Sequence, residues 1–229
     1  MGDIMENWNE LSEPWKRCFL QAWKAYCHGS IPIGAVLVDS EGEIFLEGRN
    51  RVHELTAPEG QLCDCRIAHA EMNVLVQVKT SDYEKLSGAT IYSTMEPCIQ
   101  CFGAIILSRI KNISFAAIDD KLAGATTLED RHGFIKSRNL NIAGPFSHLG
   151  EIQIILRTDF LLRIFDSEYA DPLIAAHEKD YPIGVALGRH YHRNNRLQVA
   201  KKETIPFGEL FNEFSFDIKR AREGYTLGK

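Results

Sequence analysis

The 229-residue chain has no apolar run approaching the eighteen or so residues of a membrane span, which excludes a transmembrane helix from its sequence pattern. It has no internal repeat and no low-complexity segment, so solenoid and disordered-linker readings fall away. It also lacks an excess of positive charge: 26 Lys and Arg stand against 31 Asp and Glu, a net charge of −5. A protein that grips phosphates along an RNA is usually basic, so this balance argues against a nucleic-acid substrate and leaves room only for a local basic patch. The N-terminus is acidic and contains Trp8, unlike a signal peptide, and the expected compartment is the cytoplasm. Cysteines number only six, at 18, 27, 63, 65, 98 and 101. In that compartment they read as metal ligands and ordinary thiols rather than as disulfides. What remains is ordinary for a globular protein, with 45% hydrophobic and 25% charged residues and a length that suits one domain with an appendage.

The stretch from His69 to Cys101 organises the rest. It opens His69-Ala70-Glu71 and closes Pro97-Cys98-Ile99-Gln100-Cys101. One imidazole and two thiolates are three of the ligands a catalytic zinc uses, with a fourth tetrahedral position kept for water. Glu71 is spare once the metal has its three ligands, and a spare carboxylate in that place suits a proton shuttle. Ala70 to Lys79 is rich in helix formers, so His69 and Glu71 are expected in the first turn of a helix. Pro97 suits the first position of a second helix, Cys98 to Arg109, where its missing N–H leaves no intrahelical bond unmade. Cys98 and Cys101 then share one helical face near the positive end of the helix dipole, which favours thiolates.

Zinc ligands with a spare Glu mark the zinc-dependent base deaminases. The chain resembles the cytidine/deoxycytidylate deaminase superfamily, in the nucleoside deaminase branch that holds tRNA adenosine deaminase and guanine deaminase. The resemblance is carried by Pro32 to Val38, Gly48-Arg49-Asn50-Arg51, the His-Ala-Glu run, Glu96-Pro97-Cys98, Ser108-Arg109-Ile110 and Phe115 to Gly124, over about residues 10 to 160. His-Ala-Glu-Met-Asn at 69–73 leans toward deoxycytidylate deaminases, whereas Glu-Pro-Cys leans toward the purine-acting branch. The resemblance implies one catalytic Zn2+ held by His69, Cys98 and Cys101, with Glu71 as the catalytic acid and base. It also implies substrate contacts at Asn50, Ala70, Glu96 and Asp119. For Asn50, an amide offers both donor and acceptor to a heterocycle edge, and a turn asparagine is the competing reading. For Asp119, a solvated turn competes equally. Cys63 and Cys65, with His53, could form a second zinc site of the kind some deoxycytidylate deaminases carry; a thiol-containing loop is the plainer alternative.

Along the chain, residues 1 to 11 read as a loose lead-in. Ser12 caps a helix in which Trp15, Phe19, Ala22, Trp23 and Tyr26 recur at core-facing spacing. Ile33 to Val38 and Glu43 to Glu47 read as a hairpin, and Ala89 to Thr94 and Ile113 to Ile118 as further strands. Residues 125 to 148 read as a long irregular connection whose Phe134 and Phe146 could stack on a base, and Glu151 to Ile164 as an apolar helix. Helical patterning continues at 172–179, 183–192 and 207–214, with positive charge at Arg189, His190, His192, Arg193 and Arg196. A solvated face is the default for that cluster, and phosphate or partner binding the sharper reading.

The expected fold is α/β: a three-layer α/β/α sandwich around a mixed, about five-stranded sheet, with a C-terminal helical extension. Residues 1–165 are expected to form the deaminase domain, with 166–229 packed on it. The expected function is zinc-dependent hydrolytic deamination of an amino-bearing nucleobase, nucleoside or nucleotide, with release of ammonia. Similar enzymes commonly form dimers or tetramers, and the apolar stretch at 152–164 offers material for burial, so a homodimer is expected. Two alternatives stay open: a tRNA adenosine deaminase, and a non-catalytic zinc-binding partner protein on the same fold.

Overall fold

The computed structural model describes residues 7–119 and 121–224. The first six residues of the expected lead-in lie outside that range. The contacts divide the chain into two compact units, one holding Glu13–Pro145 and the other the segments before and after it.

The first unit is built on a five-stranded sheet in the order β2-β1-β3-β4-β5. Its strands are β1 (Gly34–Val38), β2 (Ile44–Arg49), β3 (Thr90–Met95), β4 (Asn112–Ala117) and β5 (Asn141–Ala143). β1 runs antiparallel to both β2 and β3, whereas β3, β4 and β5 are parallel, so the sheet is mixed as expected. The helices α1 (Glu13–Cys27), α2 (Ala70–Leu75), α3 (Ile99–Leu107) and the short α4 (Gly133–Lys136) belong to this unit. Strand side chains alternate between faces. Ala35, Leu37, Ile91, Ile113 and Phe115 join Val74, Phe102, Ile105 and Ile106 in one buried cluster. Tyr92, one step out of that register, meets Trp15 of α1 edge-on at 5.3 Å. All five residues of β1 are buried, which accounts for its unbroken apolar sequence.

Three local expectations are corrected. α2 stops at Leu75 instead of reaching Lys79, because the N–H groups of Gln77 and Val78 turn back to the carbonyls of Val74 and Leu75. A run with Val at 74, 76 and 78 gives such tightening little helical propensity to oppose it. α3 starts at Ile99 with Cys98 as its cap, so Pro97 lies just outside the helix. The Pro97 carbonyl accepts from the Ala125 N–H, which ties that backbone to a neighbouring loop. Finally, the connection at 125–148 is not irregular throughout. It contains a 3-10 turn at Thr126–Asp130, then α4, then β5, which pairs Asn141 with Asn112 of β4. Three residues with exposed, half-buried and exposed side chains are too short a period to be recognised as a strand.

The second unit is helical: α5 (Ser147–Ile164), α6 (Ser167–Glu178), α7 (Pro182–Arg193), α8 (Arg196–Lys202) and α9 (Phe207–Arg222). A 3-10 turn at Trp8–Glu10 joins it, with Trp8 packed on Phe207 and Phe211. Leu149, Ile152, Ile154, Ile155 and Leu156 are all at 0% exposure. α5 is therefore buried on every side over much of its length, as the centre of this unit, and its buried set includes Glu151, Gln153 and Asp159. The contact units divide after Pro145, which groups α5 with the helices that follow it. Gly184 lets α7 lie against α5, since a Cβ there would sit 2.7 Å from the Glu151 carbonyl oxygen. Part of the basic cluster faces carboxylates within the unit. Arg196 forks onto Glu213 at 2.6 and 2.9 Å, His192 lies 3.6 Å from Asp159, and Arg189 lies 4.0 Å from Asp171. Among the described residues, no helix is long and apolar enough to cross a membrane.

Candidate active site

One end of the sheet collects the residues singled out by sequence. β3 and β4 finish side by side, with Met95 opposite Ala117, and lead into Glu96-Pro97-Cys98 and Ile118-Asp119. β1 begins at this end because it runs the other way, and Gly34 pairs with Arg49 at the close of β2. Asn50 follows, its N–H bonded to the Ile33 carbonyl at 2.9 Å. Crevices beyond the carboxyl ends of strands are where ligands of open α/β sheets commonly sit.

His69 caps α2 and Cys98 caps α3, so the two helices present their starts to one point. Gly48 of β2 makes the approach of α2 possible: a Cβ there would lie 2.5 Å from the Ala70 carbonyl oxygen and 2.7 Å from the Val74 nitrogen. The Nδ1 of His69 is 3.4 Å from Cys98 Sγ and 3.5 Å from Cys101 Sγ. The three ligand atoms all lie within 4.8 Å of one another. Zinc bond lengths at a tetrahedral angle put nitrogen and sulfur about 3.6 Å apart. Donor types and spacing therefore fit a single Zn2+. Among the described residues, Cys63 and Cys65 join no such group.

The electrostatics show how strongly these groups interact. A hydrogen bond with Cys101, and then the bond with His69, pull Cys98 down to about 4 against the opposing effect of burial. Sharing that proton with Cys98, together with burial, pushes Cys101 far up. The bond to Cys98 raises His69, while burial acts against it, and the backbone of Arg66 also hydrogen-bonds the ring. A second bond of this kind fixes ring orientation at metal sites.

Glu71 is 3% exposed and receives a hydrogen bond from Ser93 Oγ on Oε1 at 2.8 Å. Burial raises its carboxyl above the ordinary range, with His69 and the Ser93 bond acting in the opposite direction. Ala70, beside it, is fully buried. Asn50 is held firmly, its Oδ1 accepting from Ser30 Oγ at 2.8 Å and from the Val52 N–H at 3.1 Å. On either side of it, Arg49 and Arg51 both bond the buried Glu54.

Glu96 has work that sequence did not reveal. Its Oε2 accepts from the Asp119 N–H at 2.8 Å and its Oε1 from the N–H and hydroxyl of Thr126, the N–H at 3.0 Å. The Asp119 carbonyl accepts from the N–H groups of Leu122, Ala123 and Gly124 at 2.8 to 3.1 Å. Glu96 and Asp119 thus brace the loop after β4. Sequence reasoning also missed Ser93, Ser30 and Asn73. Asn73, at 0% exposure, donates to the carbonyls of Arg49 and Leu62 and accepts from the Leu62 N–H, pinning the loop before His69. Of the aromatics offered as base-stacking residues, Phe134 lies under Arg138 at 4.2 Å and Phe146 precedes α5.

Comparison with known proteins agrees with this geometry. A tRNA-specific adenosine deaminase of Bacillus subtilis is 42% identical over 114 residues, 49% of this chain and 65% of its own. One from Aquifex aeolicus is 37% identical over 109 residues, 47% of this chain and 66% of its own. The chain thus spans slightly less than two thirds of the length of these relatives. A mutant protein solved in complex with 8-azaguanine shares the fold, with a TM-score of 0.52 and 19% identity over 66% of this chain and 86% of that one. Residues 9–117 match the family model described as the cytidine and deoxycytidylate deaminase zinc-binding region, the stretch that runs from the lead-in to α1 through β4 and includes His69, Glu71, Cys98 and Cys101.

Proposed function

We propose that the chain is a zinc-dependent hydrolytic deaminase of amino-bearing nucleobases, nucleosides or nucleotides. The observation that carries this is Glu71, a buried carboxyl beside His69, Cys98 and Cys101 that a purely structural zinc would not need. Held by those three residues, zinc would supply a Lewis acid that lowers the pKa of water. Glu71 takes the proton from the attacking water and delivers it to the ring nitrogen next to the amino-bearing carbon. It then takes the proton of the newly added hydroxyl and passes it to the amino group, so that the C–N bond breaks, ammonia leaves and the carbonyl forms. A carboxyl with a raised pKa suits both transfers near neutrality, and the Ser93 bond fixes its plane. Asn50, with its carbonyl oxygen occupied by Ser30 and Val52, turns its amide NH2 toward the substrate as a donor. Ala70 contributes through its position at the start of α2, and Glu96 and Asp119 shape the pocket wall through the loop they brace.

The test is ammonia release from a panel of amino-bearing purines and pyrimidines, each as base, nucleoside and nucleotide, with a tRNA alongside. Turnover of a small substrate with weak dependence on salt between about 50 and 200 mM supports the proposal. The relatives named tRNA-specific adenosine deaminase favour a second reading, adenosine to inosine conversion in tRNA. Turnover of tRNA alone, collapsing over that salt range, would establish it. Absence of turnover in a zinc-loaded protein would favour the non-catalytic partner.

The same reading includes a cytoplasmic homodimer. The stretch at 152–164 is largely consumed inside its own unit and offers little to a partner. Leu55, Ile67 and Ile99, at 81%, 48% and 69% exposure, supply apolar surface next in sequence to the proposed ligands and the Asn50 loop. Light scattering giving only a 25.9 kDa species at micromolar concentration would overturn the dimer.

A further inference from the structure

The other end of the sheet holds a feature that deamination does not use. The parallel strands begin there, with Thr90, Asn112 and Asn141 in one row, five residues before the Met95–Ala117 row. At the rise of a strand, about 16 Å separates the two ends. A cavity of about 580 Å³ opens at this far end, lined by Tyr83, Leu86, Leu107, Arg109 and Lys111 among others. A smaller one of about 140 Å³ shares Arg109 and Lys111 and adds Arg138. No carboxylate lines either cavity.

The three cations are arranged in ways a solvated face does not require. Arg109 follows α3 with φ at 65°, the left-handed position that ends many helices and usually belongs to glycine. Here the chain keeps a strained long cation at that place. The guanidinium of Arg138 stacks on Phe134 at 4.2 Å, which fixes its plane, and its Nε is buried without a hydrogen-bond partner. Buried donors are nearly always satisfied, so that edge lacks an acceptor. Phosphate supplies such acceptors, and the planar fork of arginine matches it. Beside the cations, Tyr83 and Leu107 are 60% and 73% exposed, an apolar wall on which a base could lie. The larger cavity has the volume of a small-ligand site.

We propose that this end of the sheet is a second ligand site, binding the phosphate of a mononucleotide against Arg109, Lys111 and Arg138. Its base lies toward Tyr83 and Leu107, away from the reactive centre. The test follows backbone amide resonances of Gly88 and Ser108, which line the larger cavity, during titration with inorganic phosphate, AMP and adenosine. Phosphate and AMP should shift these amides, AMP more tightly, and adenosine should leave them unmoved. The double variant Arg109→Ala/Lys111→Ala should weaken AMP at these amides by at least tenfold. Arg138→Ala, which leaves the turn after α3 intact, should do the same with the remaining spectrum preserved. Zinc content should not change in either variant. The proposal is overturned if AMP leaves the wild-type amides unmoved, if both variants bind AMP as the wild type does, or if adenosine acts as well as AMP. An RNA stem-loop that shifts them where AMP does not also overturns it.

Discussion

Replacing Glu71 by Gln keeps the side chain's shape and its bond from Ser93 while removing its capacity to carry a proton. Glu71→Gln should therefore retain zinc and fold but lose at least about 100-fold in kcat, the lower end of what a general acid and base contributes. A variant with zinc and more than a tenth of wild-type turnover would remove Glu71 from that duty. Ser30 is the quieter case. Ser30→Ala takes away one of the two donors that hold the Asn50 oxygen. A lost hydrogen bond of about 1 kcal/mol corresponds to roughly a fivefold rise in KM, with kcat and zinc content nearly unchanged. An unchanged KM would show that Asn50 is oriented without Ser30. His69, Glu71, Cys98 and Cys101 were legible because their chemistry lies in short fixed spacings. Ser93 and Ser30 were not, since their bonds join residues 22 and 20 positions apart and only the folded sheet brings them together.

At the scale of elements, α2 and α3 meet through their caps, His69 and Cys98. Three proposed ligands drawn from the starts of two helices would make metal binding part of the folding energy. Cys98→Ala and Cys101→Ala should each lower zinc content well below one per chain and lower Tm together with it. Near-stoichiometric zinc in both variants would exclude the two thiols as ligands. The longer strands could be read from apolar, β-branched runs of five or six residues, and the aromatic face of α1 from helical spacing that persists along it. β5 could not be, and α2 was read too long, because three-residue pairing and a turn that tightens after Leu75 are decided by neighbours rather than by local pattern. Glu96 belongs to the same class: its motif was visible, but its bonds reach Asp119 and Thr126.

At the scale of the molecule, the helical unit carries its own pH response. Burial pushes Glu151 up to about 7, although the Gly184 N–H and Arg222 favour its charged form. An acid whose folded pKa is raised stabilises most below its unfolded value and loses that stability as pH rises through the folded one. The window is therefore about 4.5 to 7, and the loss above it is roughly 3 kcal/mol. Glu151→Gln, whose amide oxygen can still accept from Gly184, should raise Tm at pH 8 and change it little at pH 4.5. An equal effect at both pH values would contradict this. The division of the chain was the least legible feature at this scale. A helix such as α5, with apolar residues spread around its circumference and Glu151, Gln153 and Asp159 among them, looks alike in sequence whichever unit it centres, and only its packing assigns it.

The loop braced by Glu96 is also stitched to the start of α3. Ile99 N–H reaches the Ala123 carbonyl at 3.2 Å, and Ala125 N–H reaches Pro97 at 3.1 Å. These two amides act as reporters, since opening the loop exposes them to solvent together. Hydrogen–deuterium exchange should leave them slow in the zinc-loaded protein and accelerate both in step after chelation, while amides in the middle of β3 stay protected. Independent rates for the two amides would mean that the cap of α3 and the loop move separately.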